Sequence, residues 1–192
     1  MSLSINAVAR TQEGKGASRR LRNEQLVPAV IYGGDVAPQS VSFKDNELLK
    51  AVGTPGFLTG LVEVSVDGKA EKVLVKALQR HPATGAVMHM DLQRVQEDKL
   101  ITTRVPLSFI NAAQSEGVSK QGGRLTVESK LAEVRCLPAN LPEALIIDVI
   151  DGQLDQIFHL SDVTLPEGVE LISLLKGEDH NQPIGRIGKS KR

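Results

Sequence analysis

The densest group of chemically able residues in the chain is Gly14-Lys15-Gly16-Ala17-Ser18-Arg19-Arg20-Leu21-Arg22. Arginine presents a planar fork of donors that matches phosphate, lysine a point charge, and a serine hydroxyl can reach a phosphate or a ribose hydroxyl. At about 100° per residue, a helix from Ala17 to about Gln25 gathers Ser18, Arg19 and Arg22 into one arc, joined by Lys15 if the first turn reaches it. Ala17 and Leu21 point the other way as a small apolar anchor, and Arg20 falls off the arc. The chemistry on offer is the binding of a polyphosphate, and the bland alternative is a solvated helix face of the same composition. A P-loop is excluded, because neither its four-residue gap between glycines nor its Gly-Lys-Ser/Thr ending is present.

A second constellation is His89 and Asp91, two apart on an expected strand and therefore on one face. Three readings stand side by side. They are a weakly coupled surface pair, a metal or acid–base site that would need a third group which no spacing in the chain offers, or an RNA contact. In the last, Asp91 is repelled by phosphates and belongs only as an acceptor for a base amino group or a 2′-hydroxyl, which makes it a specificity residue. Arg10 ends the first expected strand beside the glycine loop. The remaining candidates are weaker: His81 precedes Pro82 at a turn, Cys136 sits among apolar neighbours as a buried hydrophobe, and His159 and His180 have no evident partners. Aromatic residues narrow the kind of nucleic acid. With no Trp and only Tyr32 and four Phe, the chain cannot supply a row of stacking platforms for single strands. Structured RNA, read through phosphates, 2′-hydroxyls and minor-groove edges, is the better match, with Tyr32 free for a single contact.

The elements that must position these groups are mostly strands. Leu3 to Arg10 alternates as a strand, Glu13 to Gly16 reads as a flexible loop, and Pro28 starts a strand with Val30 and Tyr32 on one face. Val41 to Phe43 is a short strand, followed by a helix from Lys44 to Val52 capped by Asp45 and stopped by Gly53. Leu61 to Val66, Asp67-Gly68 and Lys72 to Leu78 form the clearest hairpin. The strand Val87 to Val95 is expected to put Met88, Met90 and Leu92 on one face and His89, Asp91 and Gln93 on the other, a polar face. After the charged junction Glu97-Asp98-Lys99 come further strands over Thr103–Ile110, Leu125–Val127, Leu131–Leu137 and Leu145–Ile150, then shorter apolar runs at Ile157–Leu165 and Val169–Leu175. The fold class is mainly β with a few short helices, in two β-rich domains, 1–96 and 97–180, and a polar basic tail, 181–192, expected to be disordered.

Bulk properties set the bounds. The formal net charge is zero, yet residues 1–96 hold twelve Lys or Arg against nine Asp or Glu, and residues 97–192 eleven against fourteen. The first part is the polyanion binder, and the second, its basic end apart, is acidic. A single cysteine excludes an internal disulfide, no leader opens the chain, and no apolar run approaches the roughly 20 residues of a membrane span, so a cytoplasmic protein with no membrane partner is expected. No enzymatic activity, cofactor, metal or small-molecule substrate is read from these residues.

Four stretches, in order, resemble the bacterial large-subunit ribosomal protein L-twenty-five family in its longer two-domain form, called Ctc or general stress protein Ctc. They are Gly14 to Arg22, Val27-Pro28-Ala29-Val30-Ile31-Tyr32-Gly33, Gln79-Arg80-His81-Pro82 and His89-Met90-Asp91-Leu92. The second half is similar more diffusely, through Pro106-Leu107, Gly122-Gly123 and Leu160-Ser161-Asp162-Val163 before Leu165-Pro166. The resemblance implies a small β-barrel first domain that binds 5S ribosomal RNA in the central protuberance of the large subunit, its basic helix against a widened minor groove. It also implies a β-rich second domain that faces neighbouring ribosomal components, including proteins. The RNA contacts it implies are Arg10, Lys15, Ser18, Arg19, Arg20, Arg22, Tyr32, His89 and Asp91. The rival function is a stress-response interaction module whose acidic second domain holds a protein partner.

Overall fold

The computed structural model describes residues 3–54 and 56–189, and the chain divides into two compact units, Met1–Lys99 and Leu100–Arg192. In the first unit the strands are β1 (Leu3–Ala9), β2 (Leu26–Tyr32), β3 (Gln39–Lys44), β4 (Leu61–Val66), β5 (Lys69–Arg80) and β6 (Val87–Arg94), with helices α1 (Lys15–Asn23) and α2 (Asp45–Gly53). The strands close into a barrel in the order β1-β3-β2-β6-β5-β4. Closure uses two parallel pairings, β1 with β4 and β2 with β6, among antiparallel neighbours. Strand alternation fills the interior with one parity of each strand: Val27, Ala29 and Ile31 of β2, Val62, Val64 and Val66 of β4, Met90 and Leu92 of β6. Phe43, Phe57 and Leu48 are at most 1 % exposed and belong to the same core, so α2 contributes to the barrel interior through Leu48.

The hairpin turns on Asp67 and Gly68, both at positive φ (49° and 87°), as a two-residue loop between twisted strands requires. Helix α2 differs from expectation. Lys44, still extended at φ −71° and ψ 129°, stands at the N-cap, Asp45 is the first helical residue, and no side chain caps the helix. Strand β3 runs straight into α2, so the strand end sets the helix start, and the Asp45 backbone N–H is already bonded to the Gln25 carbonyl. The inward set of β6 also differs. Val87 is buried and Met88 only half-buried, because the register passes from Gln79↔His89 to Arg80↔Val87, a bulge that takes Met88 out of the ladder.

The second unit holds β7 (Ile101–Ile110), β8 (Gly123–Val127), β9 (Leu131–Cys136), β10 (Leu145–Asp148), β11 (Ile157–His159), β12 (Val169–Leu171) and β13 (Pro183–Lys189), with one-turn helices α3 (Glu116–Ser119) and α4 (Ile172–Leu175). They form a four-stranded sheet, β10-β7-β9-β12, and a three-stranded sheet, β11-β13-β8. Cys136 is fully buried, and burial pushes its thiol pKa up.

The expected disordered tail is corrected here: residues 183–189 are the central strand of the three-stranded sheet, with Ile184 and Ile187 fully buried. Its glycines are packing devices. A Cβ on Gly185 would lie 3.1 Å from the Phe109 ring, so a larger residue there would require the ring to give way by a few tenths of an ångström. Lys191 and Arg192 lie outside the described residues.

Candidate nucleic-acid interface

Helix α1 begins at Lys15, two residues earlier than the expected loop allows. Gly14, at φ +94°, reverses the chain, and Ser18 N–H closes the first turn on its carbonyl at 3.1 Å. Ala17 is buried and Leu21 half-buried, which seats the helix against β2. Arg19 is exposed and projects opposite these anchors. Ser18 and Arg22, one turn apart, are half-buried on one flank, while Arg20 lies exposed on the other, near Gly16. Arg20 and Arg22 fall in the last turn, where the negative end of the helix dipole favours positive charge. Lys15, Ser18, Arg19 and Arg20 make no side-chain hydrogen bond or ion pair among the described residues.

Arg22 is different. Its Nε donates to the Met88 carbonyl at 3.1 Å, 66 residues away in sequence. The bulge in β6 frees that carbonyl from the ladder, so the irregular register and the helix tether are one feature. One residue further on, His89 Nδ1 meets Asp91 Oδ1 at 2.8 Å, both side chains being roughly one-quarter to one-third exposed. With Nδ1–H donating, His89 keeps Nε2 available and Asp91 keeps its second oxygen.

Strand register extends this patch sideways. Asp91 pairs with Val30 of β2, Val30 with Ser40 of β3, and the Arg10 backbone N–H bonds to the Ser40 carbonyl at 2.9 Å. These four residues therefore lie in one row across four adjacent strands, about 5 Å per step. Tyr32 stands two residues along from Val30 on the same face, paired with Gln93. Burial first, and the Asp91 charge second, raise the Tyr32 pKa above its ordinary value, so the phenol stays a neutral donor. Arg10 is held by its own fork: Nε donates to the Val41 carbonyl at 3.2 Å and Nη1 to the Gln12 carbonyl at 2.9 Å. That braces the loop into α1 and leaves Nη2 unused.

His89, Asp91, Tyr32 and Arg10 thus share one outer wall, and Arg22 ties α1, with Lys15, Ser18, Arg19 and Arg20, to its edge. Sequence reasoning passed over Gln79, which the register sets opposite His89, and Ser40, whose Oγ donates to Glu13 at 2.8 Å. Strand parity points to Gln93; Gln79 is hidden from parity by a second bulge between Val75 and Ala77. Two of the remaining histidines have local structural duties. His81 Nδ1 accepts from the Ala83 and Thr84 backbones, and the His159 N–H is held by Asp162. Among the described residues no group of three or more His, Cys, Asp or Glu could hold a metal ion, and no helix is long and apolar enough to cross a membrane.

A closed six-stranded barrel carrying a helix with exposed arginines, followed by a separate β unit, defines a two-domain, mainly β protein with a basic surface on its first unit. Residues 5–92 match the Ribosomal L25p family, and residues 100–190 match the C-terminal domain of ribosomal protein TL5. The chain is 89 % identical over 192 residues to large ribosomal subunit protein bL25 of Marinomonas sp., covering all of both chains. It is 46 % identical to the bL25 of Saccharophagus degradans, over 97 % of this chain and 90 % of that one, and 48 % to that of Pseudomonas aeruginosa, over 91 % and 86 %. The chain belongs to the bL25 family of large ribosomal subunit proteins, in its two-domain form, and its role is structural rather than enzymatic.

Proposed function

We propose that the first unit binds 5S ribosomal RNA in the central protuberance of the large subunit, in the cytoplasm, through α1 and the outer wall of β6, β2 and β3. The observation that carries this reading is the contrast in how cations are used. Arg10, Arg80 and Arg94 are engaged within the unit, whereas among the described residues Arg19 and Arg20 are left without a partner and Arg22 is held only through Nε, all three on one helix beside a polar strand face. Unspent guanidinium forks suit phosphates, and the adjoining row suits minor-groove edges and 2′-hydroxyls, which are wide and shallow in A-form RNA.

The roles divide by chemistry. Lys15, Arg19, Arg20 and Arg22 bind backbone phosphates and set register, with Ser18 able to donate to a phosphate or ribose. Asp91, its orientation fixed by His89, accepts from a 2′-hydroxyl or from the guanine amino group, the only base donor the minor groove offers. Tyr32, kept neutral, donates or accepts beside it, and Arg10 extends the surface across β3. The account requires that the protein co-sediment with large subunits at moderate salt and leave at high salt, as counterions compete for the phosphates. Retention that does not change with salt would overturn it.

A further inference from the structure

Among the described residues of the second unit, the arginines with no internal partner are found in one place. Arg104 pairs with Glu133 at 3.0 Å and Arg135 with Glu170 at 2.7 Å, both across strands. Arg124 and Arg186, by contrast, make no hydrogen bond or ion pair among the described residues, and both line an open groove of about 620 Å³ over β8 and β13, together with Lys189. Register explains the arrangement. Thr126 is opposite Arg186 and Arg124 opposite Gly188, so these four share the outward face of the three-stranded sheet. Gly188 has no side chain, and the Arg186 guanidinium stem crosses it: a Cβ there would lie 3.8 Å from Arg186 Nε. Two guanidinium groups are thus brought onto one face with no carboxylate lining the groove. Like charges side by side on a sheet are unfavourable, and residues 100–192 carry ten Lys or Arg against twelve Asp or Glu, so acids for neutralising them exist but are placed elsewhere.

We propose that this groove is a second RNA site, binding the phosphodiester backbone of large-subunit ribosomal RNA. Arg124 and Arg186 take phosphate oxygens in forked hydrogen bonds, Lys189 adds a point charge at the groove's end, Thr126 reaches a phosphate or 2′-hydroxyl, and bare Gly188 permits close approach. The acidic remainder of the unit repels RNA and so restricts docking to this strip. A nucleic-acid backbone fits better than an acidic peptide. Peptide addition would use the main-chain edge of β8 and leave Arg186, on the central strand β13, one strand away. This site is independent of the α1 surface, and its test separates the two.

Full-length Arg124→Ala/Arg186→Ala is compared with wild type and with the charge-matched Lys130→Ala/Lys176→Ala, using large subunits depleted of this protein and, separately, free 5S ribosomal RNA. The groove variant is expected to bind depleted subunits at least fivefold more weakly, with a salt slope lower by about two, while its affinity for 5S RNA and its melting temperature stay unchanged. An undiminished subunit affinity, an equal loss in the lysine control, or a matching loss on 5S RNA would overturn the proposal. Because Cys136 is fully buried, a Thr126→Cys protein takes a photo-crosslinker at that site alone. Adducts on the subunits that ribonuclease removes support an RNA occupant, and adducts only to protein, or none, contradict it.

Discussion

Replacing Arg19 and Arg22 together by alanine separates binding from folding, because the two arginines serve the protein differently. Arg19 is exposed, points away from Ala17 and Leu21 and makes no hydrogen bond or ion pair among the described residues, so its loss should change stability by less than about 0.5 kcal/mol. Arg22 holds the Met88 carbonyl; losing that bond costs about 1 kcal/mol, which lowers the melting temperature of a barrel this size by roughly 4–8 °C. On the proposed RNA surface each substitution should remove a charge-assisted phosphate contact. If each contact nets even about 0.7 kcal/mol, below the usual range for bonds to charged groups, the pair accounts for about 1.4 kcal/mol, or tenfold in affinity. The salt slope should fall by nearly two, since each phosphate contact adds about 0.9. Filter binding to 5S RNA at several salt concentrations, on protein shown by melting to be folded, reads both quantities. The double Arg→Lys variant, keeping charge but not the fork, should retain the salt slope and lose part of the affinity. Unchanged affinity in the folded alanine variant would refute the assignment of α1.

Three further outcomes follow from the same surface. Asp91→Ala should narrow the gap in affinity between 5S RNA and a minor-groove variant by about tenfold while nonspecific binding changes little; equal losses on both RNAs would count against a base or ribose role. Tyr32 is the only tyrosine and the chain has no Trp, so ultraviolet absorbance follows its phenol cleanly: it should titrate above its ordinary value of about 10 and move down in Asp91→Asn. By linkage, its contribution to stability is complete below the unfolded phenol pKa and is lost as pH rises through the folded one, and a phenol that titrates at its ordinary value contradicts the burial argument. Gly14→Ala meets no steric obstacle but forces a side chain onto φ +94°; a loss of about 1–3 kcal/mol in denaturant melts is expected, and no loss would mean the α1 entry turn relaxes.

What was legible in the chain, and what was not, follows from the range of the interactions. Local signals read correctly: Asp67-Gly68 marks a turn because few other dipeptides tolerate two positive φ values, and the anchor pair Ala17 and Leu21 locates the buried side of α1. Parity along β6 predicts the polar row of His89, Asp91 and Gln93, yet fails at Met88, where a bulge set by the partner strand intervenes. Long-range facts leave no local trace. The parallel closure of β1 on β4 and the parallel pairing of β2 with β6 depend on strands far apart in sequence, and the second of them, continued through β3, brings Arg10 into line with Asp91. Strand β13 was unreadable for a related reason: Pro183, Gly185 and Gly188 look like a frayed end, whereas Gly185 is small because Phe109 lies against it and Gly188 is small where Arg186 crosses it.

The central claim is that α1 lies against 5S RNA in the assembled subunit. Asn23, exposed at the end of α1, can be changed to cysteine and loaded with an iron chelate that cleaves nearby ribose, buried Cys136 staying unmodified. The account predicts cuts concentrated in 5S RNA, on both strands flanking one minor groove and suppressed by high salt. Cuts confined to other RNA of the subunit, with 5S RNA left intact, would contradict it.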